Sequence, residues 1–292
     1  MLPGPHIAAG SRVGHSASPP PIYNRLLLTE AQRDRIDVVL VSPRNPLNIG
    51  AAARAMANFG FGRLAVVAPY APHWREARSA IEASELLQNA REAETLAAAV
   101  AGCSLVVGTG TLTYRKPEQR VVALPELSPL VGREIACGGR VAVVFGPEKH
   151  GLTREDLSLC HQLVEIPTDA RQPSMNLGQA VAICLYELAS RAFVDSESAP
   201  RVGTGKAVDV AGETSPAAPS GELDRLAAVV EEAMRAADYS PAAMRDANRH
   251  DLRVMLRRLG PTKRDTRRIL GLFRRILWRL QHGSGALGQK RE

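Results

Sequence analysis

Aromatic side chains are scarce in this chain: five Phe, five Tyr and two Trp amount to 4% of 292 residues. A binding surface built mainly from stacked aromatic platforms is therefore not expected. Cysteine is rarer still, at four residues. Cys103, Cys137, Cys160 and Cys184 form no C-x-x-C pair, and the nearest histidine is His161, directly after Cys160. That spacing argues against a zinc site and against a disulfide framework, and it fits structural thiols in a reducing cytoplasm. No apolar run approaches the roughly 18 residues of a membrane span. Residues 1–21 lack the apolar stretch of a secretory signal, so the chain reads as cytoplasmic.

Hydrophobic residues make up 45% and charged residues 23% of the chain, enough for one medium core and a smaller unit. Residues 1–33, rich in Pro, Gly and Ser as far as Pro21, read as a disordered leader. From Asp34 the pattern changes. Continuous apolar runs at 36–41, 64–68, 105–107 and 141–145, with a shorter one at 163–166, suit strands buried on both faces. Between them, 48–59 is Ala-rich and stops at Gly60, 76–101 reads as helical, and 176–193 reads as a long helix. This alternation gives an α/β domain over 34–195 with a mainly parallel sheet. Residues 196–221 contain Ser, Gly, Pro and Ala but no aromatic, which describes a flexible linker. Residues 222–282 read as a small C-terminal helical domain and 283–292 as a disordered tail. Ile269, Phe273, Ile276 and Leu280 make one apolar helical stripe, expected to pack as core.

The net charge of +7 is unevenly spread. Between Arg245 and Arg279, twelve Arg and Lys face only Asp246, Asp251 and Asp265, so this segment carries +9 and the remainder of the chain −2. A basic balance points to nucleic acid or an anionic membrane surface. A basic helical module beside a near-neutral α/β domain favours the first. Arg253, Arg257, Arg258, Lys263, Arg264, Arg267 and Arg268 are the expected RNA contacts.

Three glycine-bearing segments follow strands. Gly108-Thr109-Gly110 starts like a dinucleotide fingerprint but lacks the third glycine. The stretch from Gly146 to Thr153 nearly matches a P-loop, yet Leu152 stands where the lysine is required, which excludes a nucleotide-hydrolysing enzyme. Ile166-Pro167 is followed by Ser174-Met175-Asn176-Leu177, where Ser174 suits a helix cap. Separately, Asn45 and Asn48 precede Arg54 at a strand-to-helix turn, the place where ligands bind in α/β folds. A guanidinium among small apolar residues needs an anionic partner, either a substrate or a structural ion pair.

Together these segments resemble a known family. Asn48-x-Gly50 with Ala53-Arg54, then Phe145-Gly146-Pro147-Glu148 with Gly151-Leu152, then Ile166-Pro167 with Ser174-Met175-Asn176-Leu177 and Ala180-Val181-Ala182, look like the three motifs of SPOUT-superfamily (TrmH-like) RNA 2′-O-ribose methyltransferases. Within that superfamily the chain is most similar to TrmJ-type tRNA (cytidine/uridine-2′-O-)-methyltransferases. The stretch 101–109 and the basic helical extension also look like this subgroup. Two features depart from the pattern: 112–129 is longer than expected, and Gly178 replaces the usual Ser or Ala.

The resemblance implies S-adenosyl-L-methionine as cofactor, no metal, tRNA nucleotide 32 as target and a homodimer with active sites at its interface. It also implies a trefoil knot in the C-terminal half of the α/β domain. Arg54, Asn48, Ser174, Asn176 and Glu148 become the expected catalytic group. Arg54 would hold a phosphate and favour a developing alkoxide, Asn48 would orient it or the ribose, and Glu148 would pair with Arg54 across the dimer. Thr109, Gly110, Thr111, Gly146, Ile166, Ser174 and Met175 are the expected cofactor contacts. The alternatives are an rRNA 2′-O-methyltransferase of the same superfamily and a non-catalytic RNA-binding protein of this fold.

Overall fold

In a computed structural model, which describes residues 28–111, 117–191 and 216–282, the apolar runs become the middle of a parallel sheet. The strands are β1 (Ile36–Val41), β2 (Leu64–Val67), β3 (Arg91–Ala93), β4 (Leu105–Thr109), β5 (Arg120–Ala123), β6 (Val141–Phe145) and β7 (Gln162–Glu165). Their order is β3-β2-β1-β6-β4-β7-β5, all parallel. Val38, Leu40, Val66, Val143 and Phe145 face one apolar cluster, while Val39, Val41, Val67, Ala142 and Val144 face another. Successive side chains point to opposite faces, so a strand covered on both sides must be apolar throughout.

Helices α2 (Pro46–Asn58), α5 (Leu127–Ala136) and α7 (Leu177–Ser190) cover the first face, and α4 (Leu96–Val100) and α6 (Arg154–Ser158) the second. Helix α2 starts where Asn45 accepts a hydrogen bond from Leu47 N, with Pro46 in its first turn, and ends before Gly60 at φ +72°. Its small residues have a steric purpose. A Cβ on Gly50 would lie 2.2 Å from Ser79 Oγ, and one on Gly178 of α7 would lie 2.7 Å from Ala51 Cβ. The departure at Gly178 thus lets α7 close onto α2.

Several sequence expectations are corrected. Residues 28–33 are ordered: α1 (Glu30–Arg33) begins with a capping box between Thr29 and Gln32, and Arg33 donates to Gly60 O at 2.9 Å. The rest of the expected leader lies outside the described residues. The stretch 76–101 is not one helix. It begins at the end of a 3-10 turn (Trp74–Glu76) and contains α3 (Ser84–Gln88), edge strand β3 and α4, with Glu82 at φ +60° and Thr95 capping α4. Part of the long 112–129 segment is the other edge strand, β5; its residues 112–116 lie outside the described residues.

Helices α8 (Ser220–Ala236), α9 (Arg245–Leu259) and α10 (Lys263–His282) pack around Leu226, Val230, Leu252 and Leu256. Gly260, left-handed at φ +55°, ends α9, and a capping box of Thr262 and Asp265 starts α10. Of the expected linker, 196–215 lies outside the described residues, whereas Ser220 and Gly221 already belong to α8. The expected tail, 283–292, also lies outside them. Among the described residues no helix is long and apolar enough to cross a membrane. The apolar stripe on α10 is core only in part: Ile269 and Phe273 pack inward, but Ile276 and Leu280 remain 38% and 37% exposed.

Candidate active site

The loops leaving β4, β6 and β7 meet beyond the carboxyl ends of these neighbouring strands, where parallel α/β sheets bind ligands. They enclose a cleft of about 230 Å³ lined by Thr109, Gly110, Thr111, Gly146, Ile166, Ser174 and Met175, which unites all seven expected cofactor contacts. Its inner wall is apolar, built from the buried Phe145, Leu152, Leu157 and Leu177. Thr111 Oγ1 and Thr168 Oγ1 both donate to Pro173 O, at 2.9 and 3.1 Å, pinning the 168–173 loop along the rim.

The glycine of the second loop has a local reason. A Cβ on Gly146 would lie 2.3 Å from Leu152 N and 2.4 Å from Gly151 C, so the loop folds back onto its own backbone. Gly151 N donating to Pro147 O at 2.8 Å closes that turn, with Gly151 at φ +62°. The close approach that requires a glycine at position 146 is therefore first of all within the loop itself.

At the mouth of the cleft three distant segments are joined by side chains. Asn176 Nδ2 donates to Asn48 Oδ1 at 2.9 Å, and Asn48 Nδ2 donates to Glu148 Oε1 at 2.8 Å. Backbone N–H groups of Arg44 and Asn45 also donate to Glu148, at 3.3 and 3.4 Å. Burial opposes the charge of Glu148, but the hydrogen bonds from Asn48 and from backbone N–H groups outweigh it and hold the carboxyl below its ordinary range. Glu148 thus has its partners within its own chain. The other end of the chain is also fixed: Asn176, not Ser174, caps α7, accepting from Gly178 N at 2.9 Å and Gln179 N at 3.4 Å. Ser174 is exposed on the rim of the cleft.

Arg54 is not brought to this cleft. It is exposed on α2, almost two turns beyond Asn48, and makes no hydrogen bond or ion pair among the described residues. The structural ion pair that a sequence reading allows for it is absent from that set. Sequence reasoning missed Arg44, Thr168 and Pro173. Arg44 was legible as the neighbour of the Asn45 cap; nothing in the sequence marks the Thr168–Pro173 contact.

The expected RNA contacts divide. Arg258, Arg267 and Arg268 are exposed, and Lys263 pairs with Glu222 at 3.3 Å. Arg257 is a correction. Its guanidinium is buried, donating to Leu159 O at 3.0 Å and Asp224 Oδ1 at 2.8 Å, so it holds the helical unit to the α/β unit and cannot meet a phosphate. Arg253 is drawn to Glu155 of α6 in the same seam. Beside them, His161 accepts from Val106 N at 3.1 Å through Nδ1, while its Nε2 is buried without a partner among the described residues. Burial, reinforced by the Arg257 charge, pushes this imidazole down to about 3. The thiols of Cys103, Cys160 and Cys184 are pushed up to about 12, chiefly by burial, and are inert packing groups.

The chain is 41% identical over 156 residues to the tRNA (cytidine/uridine/adenosine-2′-O-)-methyltransferase TrmJ of Pseudomonas aeruginosa, covering 53% of this chain and 60% of that one. It is 37% identical over 155 residues to the tRNA (cytidine-2′-O-)-methyltransferase TrmJ of Methanocaldococcus jannaschii, covering 52% and 66%. The match thus spans less than two thirds of each relative's own length. Among solved structures, TrmJ from Z. mobilis superposes with a TM-score of 0.70 at 27% identity, over 82% of this chain and 98% of that one. The family described as SpoU rRNA Methylase matches residues 35–186, from the start of β1 into α7, and the chain belongs to that family.

Proposed function

We propose that this protein transfers a methyl group from S-adenosylmethionine to a ribose 2′-hydroxyl of tRNA, at cytidine or uridine 32 of the anticodon loop. The observation that carries this reading is the Asn176–Asn48–Glu148 hydrogen-bond chain at the mouth of a cleft whose inner wall is apolar. The tRNA 2′-O-methyltransferases among the relatives support the substrate class. The cofactor supplies an electrophilic methyl group. The cleft fits it chemically: apolar Ile166, Met175 and Leu177 suit an adenine face, and the backbone at 109–111 and 146 suits its polar edge.

The chain's own residues do the rest. Asn48 is held at both ends of its amide, so its remaining N–H and lone pair point in a fixed direction and orient the ribose. Alignment of reacting atoms can contribute up to roughly 7–11 kcal/mol of barrier reduction. Arg54, an exposed cation with no side-chain partner among the described residues, acts in a homodimer, where it borders the cleft of the other subunit. There it grips the phosphate beside the target and stabilises the developing alkoxide, without itself taking the proton. A trefoil knot in the C-terminal half of the α/β unit belongs to the same reading.

Arg54→Ala is expected to lower methyl transfer to tRNA by about 10²–10³-fold while cofactor affinity, measured by titration, changes only a few-fold. An unaltered rate rejects the role of Arg54. Nucleotide-resolved mapping of RNA from a deletion strain is expected to show the loss at tRNA position 32. A loss confined to rRNA would reassign the substrate, and failure to bind S-adenosylmethionine would leave only an RNA-binding protein.

A further inference from the structure

Helix α10 runs past the core that it helps to build. Thr266 is buried, and Ile269, Leu270 and Phe273 pack against the α8–α9 cluster. On the opposite side of the helix, Arg268, Gly271, Arg275, Trp278 and His282 follow one another at three- and four-residue spacing, and all are exposed. Trp278, 47% exposed, is held in place by its neighbours. His282 stacks on its indole with centroids 5.0 Å apart and planes at 18°, and the guanidiniums of Arg275 and Arg279 lie 4.8 and 6.0 Å from its centroid. Gly271 leaves a notch in the row, since a Cβ there would meet nothing within 4 Å. Asp265, the one acidic residue on α10, is engaged by Thr262 at the other end.

We propose that the outer half of α10 is a stacking platform for an unpaired nucleotide of the RNA substrate, with Trp278 as the stacking surface and Arg275 and Arg279 as phosphate contacts. It rests on the RNA reading above and adds a site outside residues 253–268. The arrangement decides among partners. A membrane-surface helix segregates its indoles with the other apolar residues, away from the cations. Here the indole stands in the cationic row, opposite Phe273 and Leu280. Guanidinium, indole and imidazole planes are all surfaces on which a base stacks, and interleaved cations match the phosphates between bases. The stack is preformed, so little side-chain freedom remains to be lost on binding.

Fluorescence tests this in the full chain. The sequence has two tryptophans, and Trp74 is 1% exposed, so a change in emission on adding RNA reports Trp278. A single-stranded oligoribonucleotide is expected to quench emission saturably, and the corresponding duplex much less. Trp278→Phe should lose the quenching but bind within a few-fold of wild type. Trp278→Ala should bind roughly tenfold more weakly with an unchanged salt slope, whereas Arg275→Ala should flatten that slope by about one. Wild-type affinity in Trp278→Ala, equal quenching by duplex, or a blue shift on vesicles of anionic lipid with no response to RNA overturns the platform. If tRNA is bound and methylated while Trp278 stays silent, only the platform fails. If no RNA is bound or methylated by any variant, the RNA reading fails with it.

Discussion

In the α/β unit the polar groups at the mouth of the cleft are turned on one another, whereas in the helical unit most charges are left open to solvent. Asn48, Glu148 and Asn176 satisfy each other and the adjoining backbone, while Arg258, Arg267 and Arg268 stand exposed. The seam between the two units breaks that division: Arg253 and Arg257, from the same basic segment, are spent on Glu155, Leu159 and Asp224. Arginine here serves either as a surface charge or as a buried clasp, and its neighbours decide which. The seam continues at the start of α8, where Ser220 N and Gly221 N donate to Cys103 O and Ala101 O at 2.8 and 3.0 Å, using amides that a helix start leaves without internal partners.

The contrast is tested most severely at the clasp. Arg257→Met removes a buried guanidinium and leaves Leu159 O and Asp224 without their donor, a loss expected to be about 3 kcal/mol. Hydrogen exchange should show α8–α10 loosening while cofactor titration stays near wild type; uniform loosening of both units would mean that the seam is not a separate joint. Acid gives the next effect. Unfolded, His161 takes up a proton near 6.5, but in the folded chain only near 3. Its contribution is therefore complete above pH 6.5 and is lost as the pH falls from there toward 3. Between pH 7 and 5 the wild type should lose about 2 kcal/mol more than His161→Gln in urea denaturation, and parallel curves would refute this. The smallest effect on stability is expected at the cleft. Asn176→Ala removes the α7 cap, worth about 1 kcal/mol, yet also frees Asn48, so kcat should fall tenfold or more. A kcat loss no greater than the stability change would reduce Asn176 to a cap.

How much of this was legible depended on burial. The continuous apolar runs gave β1, β2, β4, β6 and β7 because a strand covered on both faces has no polar alternation. The edge strands β3 and β5 escaped notice because they are short and mostly uncovered, Arg-Glu-Ala in one case and Arg-Val-Val-Ala in the other. The three glycine-bearing loops could be read from their position after strands, and the structure gathers them into one cleft. Which polar side chain bonds which could not be read: Asn176 and Asn48 are 128 residues apart, and the choice of Asn176 over Ser174 as cap depends on where α7 begins. Arg257 was indistinguishable in sequence from its exposed neighbours, because a local charge count carries no information on what lies across a seam. The scarcity of aromatic residues discouraged a surface made mainly of them and said nothing about where a single Trp278 would stand.

Helix α10 has 20 residues, about 30 Å of straight rod, and its base is tied through α8 and α9 to the elements flanking the cleft. On the function proposed above, such a rod would be a gauge: it would set the separation between the cleft and the point where a distant part of the RNA is touched, so that a molecule is selected by its overall dimensions as well as by the nucleotide it offers.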